Sequence, residues 1–239
     1  MNLILEFIIN LVSDFYYHKK INELIRKLDV ESVIDVGAHK GEFFKSLIKS
    51  SKKIKTGLLV EPQESVLKSL KDLKISFPNI KIEIENIALG SRNQTEELYL
   101  NSLSSTSTLS KINKNSKWFK FKKMILFSNQ KNIIKKKKIL SDTLDNLMKR
   151  HKIDKLDFLK IDTEGYEYEV LKGAINSFKN HRIRHVMLER QLSDMYLNYN
   201  FKNIEKFLYK NDFIHVKTFR FPLALFEDRI YTLKKKKNE

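Results

Sequence analysis

No cysteine occurs among the 239 residues. That excludes thiolate nucleophiles, iron–sulfur clusters and cysteine-bound zinc, and it suits a reducing compartment, by default the cytosol. Arginine is scarce too, at eight of the 46 basic residues. Reading nucleic-acid bases relies on arginine forks, and holding single strands relies on interleaved aromatic rings; neither is concentrated here. The formal charge of +17 still draws phosphate backbones without regard to sequence. Lys, Asn and Ile are nevertheless spread over the whole chain, as a general compositional bias leaves them, and this disfavours nucleic acid as the partner. Also missing are internal repeats, the basic start and small-residue cleavage site of a secretory signal, and the roughly 20 apolar residues of a membrane-crossing helix.

What is present begins with an amphipathic segment. Leu3, Ile4, Phe7, Ile8, Leu11, Val12 and Phe15 recur at helical spacing, with Glu6, Asn10 and Asp14 on the other side. The expectation is a helical region over 1–30 whose apolar face packs on the domain or on a partner chain in an oligomer. His18, Lys19 and Lys20 follow, so peripheral contact of residues 1–20 with anionic lipid is an alternative role. The rest suits one α/β domain, which at this length buries roughly 70–75% of its unfolded surface and needs no disulfide or structural metal.

From Glu31 onward, short apolar runs alternate with helical stretches. The pattern predicts strands at Ser32–Val36, Thr56–Val60, Ile80–Ala88, Leu156–Ile161, His185–Leu188, Phe213–Thr218 and Arg229–Leu233. It predicts helices at Glu42–Lys49, Glu64–Leu73, from Ser141 onward, Tyr166–Phe178 and Lys202–Lys210. Such alternation implies a mostly parallel sheet covered on both faces through right-handed crossovers. Residues 101–138 are rich in Ser, Asn and Lys, hold the single tryptophan, Trp118, and read as an insertion or substrate lid. Ser102–Ser110 and Trp118 suit hydroxyl and ring-face contacts. The run Lys135–Lys138 reads as a solvated edge, and Lys234–Lys237 as part of a basic tail over 234–239.

Val33–Gly41 (VIDVGAHKG) leads a strand into D-x-G-x-x-x-G and then a helix. Gly37 and Gly41 permit a sharp turn and the close approach of a ligand, with Ala38 and His39 completing the loop. Neither G-x-G-x-x-G nor G-K-[ST] is present, so this is no dinucleotide or triphosphate loop. Asp35 at a strand end is a poor neighbour for pyrophosphate. It is a good one for a cationic amino-acid ligand such as S-adenosylmethionine, which carries a sulfonium and an ammonium and no phosphate. Glu61-Pro62 ends the second strand, where a carboxylate accepts hydrogen bonds from ribose hydroxyls in nucleoside-binding α/β folds. Asn86, Ile87 and Ala88, ending the third strand, are then expected beside the adenine.

These segments, with Asn86–Gly90 (NIALG), Asp142–Leu147 (DTLDNL), Asp157–Gly173 (DFLKIDTEGYEYEVLKG) and Val186–Glu189 (VMLE), resemble in order the motifs of the FkbM-type S-adenosylmethionine-dependent methyltransferases, over residues 31–233. The resemblance implies a class I methyltransferase fold: Rossmann-like, doubly wound α/β, with a mostly parallel seven-stranded sheet whose last strand is antiparallel. It implies methyl transfer to a hydroxyl oxygen of a small-molecule or glycan acceptor, a sugar of a glycan or glycolipid precursor being favoured. It sets Asp35, Gly37 and Gly41 at the methionine part of the cofactor and Glu61 at its ribose. His39 departs from the family, which commonly has Asn there.

Lys160-Ile161-Asp162-Thr163-Glu164-Gly165 falls at the carboxyl end of the fourth strand, where open α/β sheets hold ligands. Asp162 and Glu164 are expected to face the reacting centre, and Glu189, ending the fifth strand, is a third carboxylate. One of them serves as base to the acceptor hydroxyl, or two hold a divalent ion that acidifies it. Structural roles compete: helix capping for Asp162 and Glu164, and a salt bridge to Arg190 or Lys160 for Glu189. His185 begins its strand and is expected at the opposite edge. Two other functions compete as well: an RNA or DNA methyltransferase using the basic surface, and a non-enzymatic module that kept the fold.

Overall fold

The computed structural model describes residues 18–100, 107–116, 119, 135–197, 199–220 and 226–234. Helix α1 (His18–Lys27) precedes β1 (Ser32–Val36), α2 (Glu42–Ser50), β2 (Thr56–Val60), a single 3-10 turn (Glu64–Val66), α3 (Leu67–Ser76) and β3 (Lys81–Glu85). Next come β4 (Ala88–Leu89), β5 (Gln94–Leu100), β6 (Lys135–Asp142), α4 (Leu144–Arg150) and β7 (Leu156–Ile161). The chain continues through α5 (Glu167–Lys172), α6 (Ile175–Lys179), β8 (Ile183–Gln191), α7 (Phe201–Lys210), β9 (Phe213–Arg220) and β10 (Phe226–Leu233).

Alternate residues of the same strands feed two cores on opposite faces of one sheet, as the two-residue period of a strand requires. Ile34, Val36, Leu58, Val60, Leu159, Ile161, Val186 and Leu188 pack with α4 to α7. Val33, Leu59, Phe158 and Met187 pack with Ile21 and Ile25 of α1, Phe43, Phe44 and Leu47 of α2, and Leu70 of α3. Burial on both faces is why these strands read as near-continuous apolar runs. Each fully buried side chain of this kind contributes roughly 1.5–3 kcal/mol.

The sheet has seven strands in the order β3-β2-β1-β7-β8-β10-β9. Neighbours are parallel from β3 through β8, whereas β10, last in the chain, is antiparallel to β8 and β9. This is the class I methyltransferase fold. Strand order reverses between β1 and β7, so the crevice beyond their carboxyl ends is the switch point where such sheets hold ligands.

Several elements depart from the sequence pattern for tertiary reasons. The predicted strand Ile80–Ala88 divides: Lys81–Glu85 stays in the main sheet, while Ala88–Leu89 joins a second sheet of order β4-β6-β5. Asn86 marks the break, its Nδ2 donating to the Glu61 carbonyl at 2.8 Å. Lys135–Lys138 begin β6, paired with Glu97–Leu100 of β5; their side chains stay largely exposed, so only backbone pairing and contacts such as Lys136–Glu97 (2.7 Å) reveal a strand. Ser141 and Asp142 finish β6 instead of opening a helix, and Thr143 caps α4 by accepting the Asn146 N–H at 3.1 Å. The helix expected over Tyr166–Phe178 breaks at Gly173, where a Cβ would lie 2.0 Å from the Gly90 carbonyl oxygen. The segments Met1–Tyr17 and Lys235–Lys237 lie outside the described residues.

Gly57 of β2 faces the fully buried ring of Phe44, and a Cβ there would lie 2.2 Å from its Cζ. Gly57→Ala is expected to cost about 1–3 kcal/mol through overpacking, read as a lower urea midpoint at an unchanged m-value. Phe44→Leu in the same chain should recover part of the loss.

Candidate active site

Register brings the ends of β1, β2 and β7 level at the switch point, beside β8, which runs on to Gln191. Val36 of β1 lies beside Val60 of β2 and Ile161 of β7, and Ile161 beside Leu188 of β8. The residues that follow are Gly37, Glu61, Asp162 and Glu189. The row is tied together by backbone: Asp162 N–H donates to the Val36 carbonyl (3.0 Å), and Gly37 and Ala38 N–H donate to the Val60 carbonyl (3.0 and 3.1 Å).

Gly37 and Gly41 have φ of +76° and +82°, so the turn itself calls for glycine. The space of the missing side chains is filled by protein, so small size is required there as well. A Cβ on Gly37 would lie 1.9 Å from the Asp162 carbonyl oxygen, and one on Gly41 would lie 2.7 Å from Leu73 Cδ2. Every N–H of the loop has an internal acceptor: besides Gly37 and Ala38, His39 donates to Glu61 Oε2 (2.8 Å), Lys40 to Glu42 Oε2 (3.1 Å) and Gly41 to the Ala38 carbonyl (2.7 Å). A phosphate loop needs such donors turned outward; this loop instead suits a ligand that brings its own. His39 has φ +48°, a region where Asn and His are both enriched, so the exchange of Asn for His keeps the backbone. Its Nδ1 lies 3.0 Å from Glu42 Oε1.

Asp35 is fully buried. Its register partner on β7 is Lys160, whose Nζ is 3.1 Å from Asp35 Oδ1 and 3.1 Å from Asp162 Oδ2. Burial pushes the Asp35 carboxyl up while the Lys160 charge holds it down. Lys160 stays protonated, because Asp162 and Asp35 outweigh the effect of its burial. Asp35 Oδ2 is buried without a hydrogen-bond partner among the described residues.

Glu61 is 3% exposed. Its two oxygens accept the His39 and Gln63 N–H groups, and a carboxylate offers about four acceptor directions, so capacity remains for ribose hydroxyls. Burial pushes its carboxyl up against those bonds. Pro62 follows, half-buried. Ile87, partly buried, packs on the main core and Ala88 on the small one with Leu98 and Ile139.

The loop after β7 is shaped by Glu167, which the sequence pattern does not single out. Its Oε1 accepts the N–H groups of Thr163 (3.1 Å) and Gly165 (3.0 Å) and the Thr163 hydroxyl (3.3 Å). The helix capping considered for Asp162 and Glu164 does not form: Tyr166 is the N-cap of α5, without a side-chain cap bond, and Glu167 ties the loop that precedes it. Glu164 Oε2 accepts instead from the Tyr196 hydroxyl and from Gln191 Nε2, which also donates to Glu189 Oε1. Neither salt bridge considered for Glu189 forms: Arg190 bonds Glu227 at 2.9 Å, and Lys160 holds the two aspartates. Burial pushes the Glu189 carboxyl well up, and the charges of Asp162, Glu164 and Asp228 push it further. Asp228 stands opposite Glu189 across β8 and β10; it lies in the charged run Glu227-Asp228-Arg229, just before the strand expected at Arg229–Leu233. His185 lies toward the other end of β8, its Nδ1 2.8 Å from Thr232 Oγ1, with burial pushing it down to about 4. Among the described residues no three His, Asp or Glu side chains are grouped to hold a metal ion.

Residues 107–116 cross this end of the sheet. Ser107 Oγ donates to Gln63 Oε1 (3.0 Å) and Thr108 Oγ1 to the Glu164 carbonyl (2.7 Å). Ile112 pairs with Tyr196, flanked by Asn113 N–H on the Met195 carbonyl and Leu197 N–H on the Lys111 carbonyl, each 2.8 Å. Ser102–Thr106 and Trp118 lie outside the described residues.

Comparison with known proteins places this arrangement. A model of the methyltransferase FkbM domain matches residues 35–215. The chain belongs to the FkbM methyltransferase family. It is an S-adenosylmethionine-dependent methyltransferase. Among solved structures it is similar to a candidate RNA methyltransferase of Pyrococcus horikoshii, at 11% identity and TM-score 0.47, covering 92% of this chain and 83% of that one. A candidate tRNA methyltransferase of Streptococcus pneumoniae in complex with S-adenosyl-L-methionine is similar at 12% identity and TM-score 0.46, covering 92% and 75%. Magnesium protoporphyrin IX methyltransferase of Synechocystis, with the same cofactor bound, is similar at 10% identity and TM-score 0.47, covering 91% and 80%. No curated protein matches. The family match, and not these distant likenesses, carries the assignment.

Burial pushes the Glu167 carboxyl up to about 7, from 4.5 in an unfolded chain. The folded protein therefore keeps a proton the unfolded one loses, so this group's contribution to stability is full below about 4.5 and is lost as pH rises through about 7. Urea titrations of wild type and Glu167→Gln across that window should show the wild type losing up to roughly 3 kcal/mol relative to the variant. A difference that does not change with pH contradicts this.

Proposed function

We propose that this methyltransferase acts on a sugar hydroxyl of a glycan or glycolipid precursor, with Asp35 and Glu61 holding S-adenosylmethionine and Asp162 and Glu189 serving the acceptor. The observation that supports it most is the level row of carboxyl groups at the switch point, behind a loop with no N–H left for phosphate. When bound, S-adenosylmethionine supplies a sulfonium-borne methyl group open to displacement by oxygen.

The chain's own residues divide the remaining work. Asp35 Oδ2 takes an ammonium, and Glu61 takes ribose hydroxyls. Asp162 is half-buried, with Oδ2 fixed on Lys160, which leaves Oδ1 to accept the proton of the acceptor hydroxyl. Glu189, its carboxyl pushed up by burial and by its acidic neighbours, is placed to offer the acceptor a hydrogen bond. Tyr196 and Gln191 fix Glu164 as an accepting wall, and Ser107 and Thr108 add hydroxyls at the rim. Carboxyl and hydroxyl groups suit a polyhydroxylated ring, and the family's association with polysaccharide modification favours a sugar. Nucleic acid is disfavoured further because Arg150, Arg182, Arg184, Arg190, Arg220 and Arg229 are all paired with acids of the fold.

Calorimetry with S-adenosylmethionine and methylation assays on saccharide and RNA acceptors test the reading. Glu61→Gln should weaken cofactor binding about 10–100-fold. Asp162→Asn should leave binding within about threefold and lower kcat by about 10²–10⁴. No heat from the wild type at millimolar cofactor contradicts the cofactor assignment; preferential RNA methylation with steep salt sensitivity contradicts the acceptor.

A further inference from the structure

Lys160 is a lysine inside a parallel sheet, 6% exposed. An ammonium is costly there unless it is fully paired, and an aliphatic side chain would pack more cheaply. Its Nζ meets Asp35 Oδ1 and Asp162 Oδ2 at 3.1 Å each and lies 5.3 Å from the centre of the Phe43 ring. The two carboxylates belong to different halves of the proposed site, Asp35 to the methyl donor and Asp162 to the acceptor. Resting on that reading, we propose that Lys160 is a positioning residue that joins the two halves, keeping Asp35 charged with Oδ2 directed at the donor's ammonium while fixing Asp162 by Oδ2.

The surroundings make one cation decisive. Asp162 and Glu42 of α2 both act on Asp35 to favour its neutral form, against Lys160. Asp228 of β10 adds a third acid near the ammonium, and Glu189 of β8 and Glu167 of α5 both feel Asp162. Neighbouring carboxylates in such a setting do not all ionise without a counter-charge. A neutral Asp35 would offer a cationic ligand no charge to bind.

Lys160→Met and Lys160→Arg separate this role from simple packing. The first readout is the pH titration of Asp35 by carbon-13 NMR of aspartate-labelled protein, with the signal assigned through Asp35→Asn. The second is calorimetry with S-adenosylmethionine from pH 5.5 to 8.5. In Lys160→Met the Asp35 midpoint should rise by about one pH unit or more, and cofactor affinity should fall about tenfold per pH unit below that midpoint. Lys160→Arg, which keeps the charge, should hold the midpoint near the wild-type value. Should Lys160→Met fold poorly, the Lys160→Met, Asp162→Asn double variant lowers the number of unpaired acids and is still expected to move Asp35 upward. Loss of stability with an unmoved Asp35 titration overturns the proposal. A wild type that binds no cofactor overturns the reading of the site, whereas a wild type that binds while the variants keep its pH dependence overturns this inference alone.

Discussion

The ends of β1 and β7 approach so closely that no methyl group fits between Gly37 and the Asp162 carbonyl. That contact is the constraint on which the site depends. It brings the carboxyl edge of the sheet to one level, and the N–H to carbonyl bonds from Asp162 to Val36 and from Gly37 to Val60 keep it there. Glu61 and Asp162, which follow β2 and β7, and Glu189 within β8 are then held in a row by backbone. Glycine at position 37 is needed for its φ and for its size together.

The second determinant is how charge is distributed. A chain of formal charge +17 places its lysines mostly at the surface, where water and salt screen them. It gathers the buried Asp35, Glu61, Glu189 and Asp228 and the half-buried Asp162 at one end of the sheet. Lys160 is the cation set among them, shared by two aspartates. The overall charge therefore does not describe this end of the sheet, where acids gather, and six of the eight arginines pair with acids of the fold. Glu227 alone engages Arg190, Arg220 and Arg229.

Residues 107–116 and 195–197 close over this end through side-chain hydroxyls and a few backbone bonds. Contacts of that kind are cheap to open beside a core buried on two faces. The arrangement gives the row a roof from a segment outside the α/β alternation, with Tyr196 joining roof and floor through Glu164.

Strands β1, β2 and β7 were legible residue for residue, because burial on both faces leaves an apolar run between polar stops and the first turn carries its glycines in the local sequence. Asp35, Glu61, Asp162 and Glu189 could be named for the same reason: each follows or lies in a readable strand, and a strand end has one place in such a sheet. The three-stranded second sheet was not legible, since Lys135–Lys138 have exposed side chains and become a strand only by pairing with Glu97–Leu100. Nor could the sequence disclose that Glu167 shapes the loop after β7, that Asp228 faces Glu189, or that Lys160 bridges two aspartates. Periodicity determined which segments are buried and in what order they alternate, for that is a property of each segment alone. Which buried acid meets which cation depends on the register between strands up to 125 positions apart, and only the packed sheet decides that.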